Sequence, residues 1–187
     1  ALYAAIDPVL EMTRPDRVLV HGDTTSAMVA AMASFHRRIP VGHVEAGLRT
    51  GDIYSPWPEE MNRRCIDLGA DLLFAPTCES RDNLLGERLQ GKTLVTGNTV
   101  IDALQLTARR IEQNPALRDS LDRQFAFLQP GRKVLLVTGH RRENFGDGFL
   151  DICKALRHLA RRTDIQIVYP VHLNPNVLGP VTEQLGD

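Results

Sequence analysis

The sequence predicts an α/β protein on parallel sheets, because short apolar runs alternate with longer stretches of helical period, the pattern of βαβ units. Composition agrees: 43% hydrophobic and 24% charged residues lie close to globular averages and exclude wholesale disorder. The apolar runs also end in polar clusters, as strands of an open parallel sheet do where a ligand is held. A length of 187 residues suits one domain or pieces of two.

The clearest strand is Arg17–His21, followed by Gly22-Asp23-Thr24-Thr25 and an Ala-rich helix from Thr25 to His36 that Asp23 or Thr24 can cap. Ile39–Val44 is the next strand, and a loop rich in Gly and Pro runs from Ala46 to Pro58, carrying the single tryptophan, Trp57. Pro58 suits the first turn of a helix reaching Leu68, since its missing N–H is not needed there. Strands at Asp71–Ala75 and Thr93–Thr96 bracket a helix from Thr77 to Leu85 that stops at Gly86. Val100–Gln113 reads as helix, and the charged stretch from Asn114 to Arg132 as less regular chain. The pattern then restarts with strand Lys133–Thr138, helix Phe149–Arg161 and strand Gln166–Tyr169. A boundary or linker is expected between Asn98 and Arg132. The opening helix-like segment and the short second unit make the fold look incomplete at both ends.

Several function classes drop out early. Twenty-two basic and 23 acidic residues, a net charge of −1, give no electrostatic footprint for nucleic acid or an anionic membrane. No apolar run approaches the ~18 residues of a spanning helix, and the N-terminal residues lack the pattern of a signal peptide. A cytoplasmic protein is expected. Three cysteines without C-x-x-C spacing argue against a disulfide framework or zinc site. His43-Val44-Glu45 matches half of a zinc-deaminase signature, but the P-C-x-x-C half is absent. H-E-x-x-H, G-x-S-x-G, G-x-G-x-x-G and the Walker spacing are absent too. Neither a metal nor a cofactor is expected; what remains is acid–base chemistry by carboxylates and a histidine.

The strand ends supply those groups. Asp23 precedes a helix start, where an anion is stabilised or simply caps the helix. Glu45 follows a buried strand, where an idle carboxylate is costly unless it pairs with a cation such as Arg49. Glu59 and Glu60 fall in a first helical turn, a favourable place for acids in any protein. His140-Arg141-Arg142 lies before a Gly-containing turn and helix, which suits a phosphate or a plain basic surface turn. His172, between Pro170 and Pro175, reads locally as a hydrogen-bonded loop histidine. His21 and His43 sit inside strand endings and read as satisfied core residues.

Taken together, the motifs resemble the non-hydrolysing UDP-N-acetylglucosamine 2-epimerases. The strings are Val20-His21-Gly22-Asp23-Thr24-Thr25-Ser26, His43-Val44-Glu45-Ala46-Gly47-Leu48-Arg49-Thr50-Gly51 and Ser55-Pro56-Trp57-Pro58-Glu59-Glu60-Met61-Asn62-Arg63. Thr96-Gly97-Asn98-Thr99-Val100-Ile101-Asp102, Thr138-Gly139-His140-Arg141-Arg142-Glu143-Asn144 and Pro170-Val171-His172-Leu173-Asn174-Pro175 follow in family order. The resemblance implies two Rossmann-like domains in a glycosyltransferase-B-like arrangement with the active site in the cleft between them. Residues 1–98 would be most of the first domain, 99–131 a connecting helix and linker, and 132–187 the start of the second.

The family interconverts UDP-GlcNAc and UDP-ManNAc through 2-acetamidoglucal, eliminating UDP and adding it back. The resemblance makes Asp23, Glu45 and Glu59 catalytic carboxylates and His140 a group on the UDP diphosphate, with Asp23, Glu45, His140 and Arg141 binding substrate. It places Arg141 and His172 near an allosteric UDP-GlcNAc and implies a homodimer. The family's Gly-Thr-Arg-Pro-Glu loop and Ser-Gly-Gly-x-x-Glu segment, which help hold the nucleotide, are not matched. The isolated chain is therefore expected to bind UDP poorly and turn over little. Two other readings stay open: a hydrolysing relative that releases ManNAc and UDP, and a non-catalytic nucleotide-sugar-binding module.

Overall fold

The computed structural model describes residues 1–139 and 147–186. The chain forms two compact units, Ala1–Thr107 and Ala108 onward. The first is a parallel sheet of β1 (Val18–His21), β2 (Val41–Val44), β3 (Leu72–Ala75) and β4 (Lys92–Val95), paired in sequence order. Helix α1 (Leu2–Thr13) packs against α2 (Thr25–His36); α2, α3 (Glu59–Gly69) and α4 (Cys78–Gly86) pack on the sheet, and α5 (Thr99–Gln113) follows β4. The second unit holds α6 (Pro115–Gln124), the parallel pair β5 (Lys133–Leu136) and β6 (Ile165–Val168), α7 (Asp147–Ala160) and α8 (Pro175–Leu185).

Local chemistry accounts for most element ends. Thr24, not Asp23, caps α2, its side-chain oxygen accepting the Ala27 N–H at 3.2 Å. Thr77 caps α4 by accepting the Ser80 N–H at 3.1 Å. The stretch expected to be irregular after Asn114 contains α6. Asn114 caps it by accepting the Leu117 N–H at 3.1 Å, and Pro115 sits at the start, where a fixed φ favours a helix. Proline there marked a helix start, not a break. The segment from Pro175, left unassigned by the sequence pattern, is also helical, opened by the same Asn-Pro pairing.

The core of the first unit joins Val20, Val41, Ile66, Leu73 and Leu84 with alanines of α2 and the strands. Small residues on α2 (Ala27, Ala31, Ala33, Ser34) let it lie close against its neighbours. Arg37, just past α2, donates to Asp7 of α1 at 2.5 and 2.9 Å and to Glu11 at 3.1 Å, which holds the Asp7 carboxyl below its usual range. A second clamp secures the chain after β2: Arg49 donates to both carboxylate oxygens of Glu87 at the end of α4, each at 2.7 Å. In the second unit Phe149, Cys153, Val177 and Val181 form a small core between α7 and α8, while β5 is exposed along its length.

Two consequences are measurable. Leu73 is fully buried in β3, so Leu73→Ala should lower the unfolding free energy by about 2–5 kcal/mol in urea titrations. The Glu87 carboxyl is held below its ordinary 4.5, chiefly by the hydrogen bonds from Arg49 and against the opposing effect of burial. A depressed folded-state value means stability that is full above pH 4.5 and lost as pH falls through the lowered value. The wild-type urea midpoint should therefore drop on acidification below pH 4.5, and Glu87→Gln should make that drop shallower.

Candidate functional site

The parallel pairing of β1 with β2 brings the residues after each strand out side by side at the carboxyl edge of the sheet. Gly22 (φ +67°) turns the chain after β1, and its N–H donates to Val44 O at 3.0 Å. Glu45 has φ +72°, a conformation that costs a non-glycine residue ~1–2 kcal/mol. The Glu45 and Ala46 N–H groups both donate to Phe74 O, at 3.1 and 3.0 Å, and fix that turn. The Glu45 carboxylate lies toward β1, with Oε2 3.7 Å from His21 Nε2. A Cβ on Gly22 would meet the same oxygen at 3.4 Å, an ordinary contact, so the positive φ rather than lack of room is what favours glycine there.

Helix α3 supports this rim from the side. Asn62 Nδ2 donates to the main-chain oxygen of Asp23 at 2.9 Å, and Arg63 Nε lies 3.6 Å from Asp23 Oδ2. Glu59 opens α3 and is half-buried. Glu60 is fully buried; its Oε2 accepts the Thr50 N–H at 3.2 Å and lies 3.3 Å from Arg63 Nε. Glu60 Oε1 and Arg63 Nε have no hydrogen-bond partner among the described residues. The Asp23 and Glu45 side chains remain about one-third exposed, at 30% and 32%, so both carboxylates stay reachable.

Below the rim lies a buried polar chain. His43 Nδ1 is 2.5 Å from Asp67 Oδ1, and both side chains are fully buried. Asp67 Oδ2 accepts the Gly47 N–H at 3.2 Å and lies 2.8 Å from Arg49 Nη1. Arg49 passes on to Glu87, and its guanidinium is held protonated by the two carboxylates against its own burial.

The geometry corrects several expectations. Glu45 is not paired with Arg49, whose charge is taken by Asp67 and Glu87; the carboxylate escapes desolvation by staying part-exposed. His21 is no core residue, its side chain being 59% exposed, whereas His43 is fully buried and bonded at both ring nitrogens. His172 is exposed after β6 and accepts the Asn174 N–H at Nδ1 at 3.1 Å, the local role read for it. His140 and Arg141 lie outside the described residues. The sequence reading missed Asn62, Arg63 and Asp67. Their signal was the spacing Glu60, Arg63, Asp67, which marks one helix face and reads as a solvated stripe, yet the fold turns it inward. Among the described residues no three His, Cys, Asp or Glu side chains converge as metal ligands would, and no helix is long and apolar enough to cross a membrane.

A family model described as UDP-N-acetylglucosamine 2-epimerase matches residues 1–187. The UDP-N-acetylglucosamine 2-epimerase of Yersinia pestis is 56% identical over 186 residues, covering 98% of this chain and 50% of the relative. That of Escherichia coli strain K12 is 54% identical over 187 residues, again 50% of the relative. The crystal structure of Neisseria meningitidis UDP-GlcNAc 2-epimerase bound to UDP-GlcNAc superposes with a TM-score of 0.95 at 45% identity, over 100% of this chain and 50% of that one. The Methanocaldococcus jannaschii enzyme in complex with UDP-GlcNAc and UDP gives 0.77 at 32% identity, over 97% and 48%. The chain thus spans about half the length of the relatives it matches. With the family pattern running the whole way from residue 1 to residue 187, this chain belongs to the UDP-N-acetylglucosamine 2-epimerase family.

Proposed function

We propose that this chain supplies the acid–base carboxylates of an enzyme interconverting UDP-GlcNAc and UDP-ManNAc without net hydrolysis. The observation that carries the reading is the rim itself: Asp23 and Glu45 stand at neighbouring strand ends, part-exposed, each with an imidazole or guanidinium within 3.7 Å.

The substrate's C2 proton has no neighbouring carbonyl to acidify it, so direct removal and return is prohibitive. Elimination avoids this. A carboxylate takes the C2 proton as the C1–O bond breaks, the bonding electrons leave with UDP, and 2-acetamidoglucal remains. A UDP oxygen then re-forms the bond to C1, and a protonated carboxyl delivers a proton to the opposite face of C2. Two faces call for carboxyl groups from different directions, and Asp23, Glu45 and Glu59 come from three elements: the ends of β1 and β2 and the start of α3. In this reading His140 stabilises the departing diphosphate, Arg141 contacts the substrate, and Arg141 and His172 border a second, activating UDP-GlcNAc.

The domain division of the reading is 1–98 for most of one Rossmann-like domain, 99–131 for the connection and 132–187 for the start of another. A homodimer and a cytoplasmic location belong to the same proposal.

The test is to incubate the full-length gene product carrying this chain with UDP-GlcNAc in D₂O and follow C2 by NMR. Loss of the C2 proton signal with appearance of UDP-ManNAc is expected. Free ManNAc with UDP would indicate the hydrolysing reaction instead, and an untouched C2 would remove the enzyme reading. Asp23→Asn and Glu45→Gln should each slow the exchange by ~10²-fold or more, whereas a pure binding module would tolerate both.

A further inference from the structure

The reaction proposed above requires the Asp23 and Glu45 carboxylates to keep one fixed relation, and both turns are tied to a single side chain beneath them. His43 Nε2 lies 3.0 Å from Gly22 O. A carbonyl oxygen only accepts, so Nε2 carries a hydrogen and donates it. The contact of Nδ1 with Asp67 Oδ1, at 2.5 Å, then shares one proton between imidazole and carboxyl. The other oxygen of Asp67 accepts the N–H of Gly47, two residues beyond Glu45. From Gly22 O, bonded through its own peptide to Asp23, a continuous chain runs through His43 and Asp67 to the turn that holds Glu45.

Stability does not demand this arrangement. A buried ionisable pair is often matched or bettered by apolar groups of similar volume, and Ile66 and Leu73 show that apolar side chains are at home in the same core. What an apolar pair could not do is hold the Gly22 carbonyl and the Gly47 N–H at once. We propose that His43 and Asp67 are positioning residues of the epimerisation, setting the separation of the Asp23 and Glu45 carboxylates by tying both turns to one carboxyl group of α3. This rests on the function proposed above.

Three variants of the full-length gene product test it. His43→Asn keeps a donor for Asp67 Oδ1, because the asparagine amide stands where Nδ1 does, but it falls short of Gly22 O. Asp67→Ala cuts both links. Asp67→Asn keeps every contact: its oxygen accepts from Gly47 and Arg49, while its NH₂ donates to Nδ1 of a neutral His43 that still donates from Nε2.

With wild type exchanging the C2 proton in D₂O, His43→Asn and Asp67→Ala should lose ~10²-fold in kcat, the scale of a misplaced catalytic group. KM for UDP-GlcNAc should stay near wild type, and Asp67→Asn should recover most of the rate. Folding is checked by circular dichroism, and either of the first two variants decides if the other does not fold. A folded His43→Asn or Asp67→Ala with wild-type kcat would overturn the proposal, as would an Asp67→Asn as slow as Asp67→Ala. A wild-type protein that leaves C2 untouched would instead remove the epimerase reading, and this proposal with it.

Discussion

A carboxylate with no access to water is costly to bury, and Asp67 is tolerated at full burial because three donors converge on it: the His43 imidazole, the Gly47 N–H and the Arg49 guanidinium. Each donor comes from a different stretch of chain that has to be in place. His43 belongs to β2, Gly47 to the turn after it, and Arg49 to the loop that Glu87 clamps from α4. Satisfying this one group therefore fixes the position of α3 relative to β2 and settles the path of the loop beyond it. Removing a single partner would leave a buried charge or N–H unmatched, a far larger penalty than the pair's net contribution.

This constraint explains why α3 presents a polar face to the protein interior. Glu60, Asn62, Arg63 and Asp67 are all buried beside Ile66, the first three reaching the rim and Asp67 the polar chain beneath it. Glu60 takes the Thr50 N–H, Asn62 the Asp23 carbonyl, and Arg63 lies between the Glu60 and Asp23 carboxylates. The helix acts less as a hydrophobic wedge than as a jig for the loops above it. Beyond Ile66 of α3, the hydrophobic holding power comes from the small-residue contact of α2 with the sheet and from the apolar strands.

That division of labour decides what the sequence disclosed. Periodicity and breakers located the strands and most helices because apolar spacing and Gly or Pro punctuation are local signals. Thr25–His36 is legible in this way, although the sequence leaves its cap open between Asp23 and Thr24 and the structure places it at Thr24. The Asn114-Pro115 and Asn174-Pro175 helix starts were missed, although proline after an asparagine cap is a helix starter. Asp23 and Glu45 stood out by their place after strands, whereas Glu59 was separated from its neighbour Glu60 only by the family resemblance. Their supports did not stand out. A polar stripe on a helix looks the same whether it meets water or a buried carboxylate network, and only the fold decides which. His21 and His43 show the same limit, since both lie at strand endings in the sequence and only the sheet register, which pairs His43 with Val20 and His21 with Val44, separates the buried ring from the exposed one.

The exposure of the rim carboxylates follows from the chemistry proposed for them. A group that takes a proton from carbon and another that returns one must refill from solvent between turnovers, so full burial would trap each in one protonation state. Full exposure would fail differently, because a side chain free to rotate is seldom aligned with C2. Asp23 and Glu45 sit between these limits, about one-third exposed on turns whose backbones are pinned from beneath. The strained φ of Glu45 fits this compromise: the backbone bears the cost of aiming the carboxylate, and two N–H groups on Phe74 O hold the strain in place. Rigidity is concentrated in the buried histidine–aspartate pair so that the groups above it can remain wet.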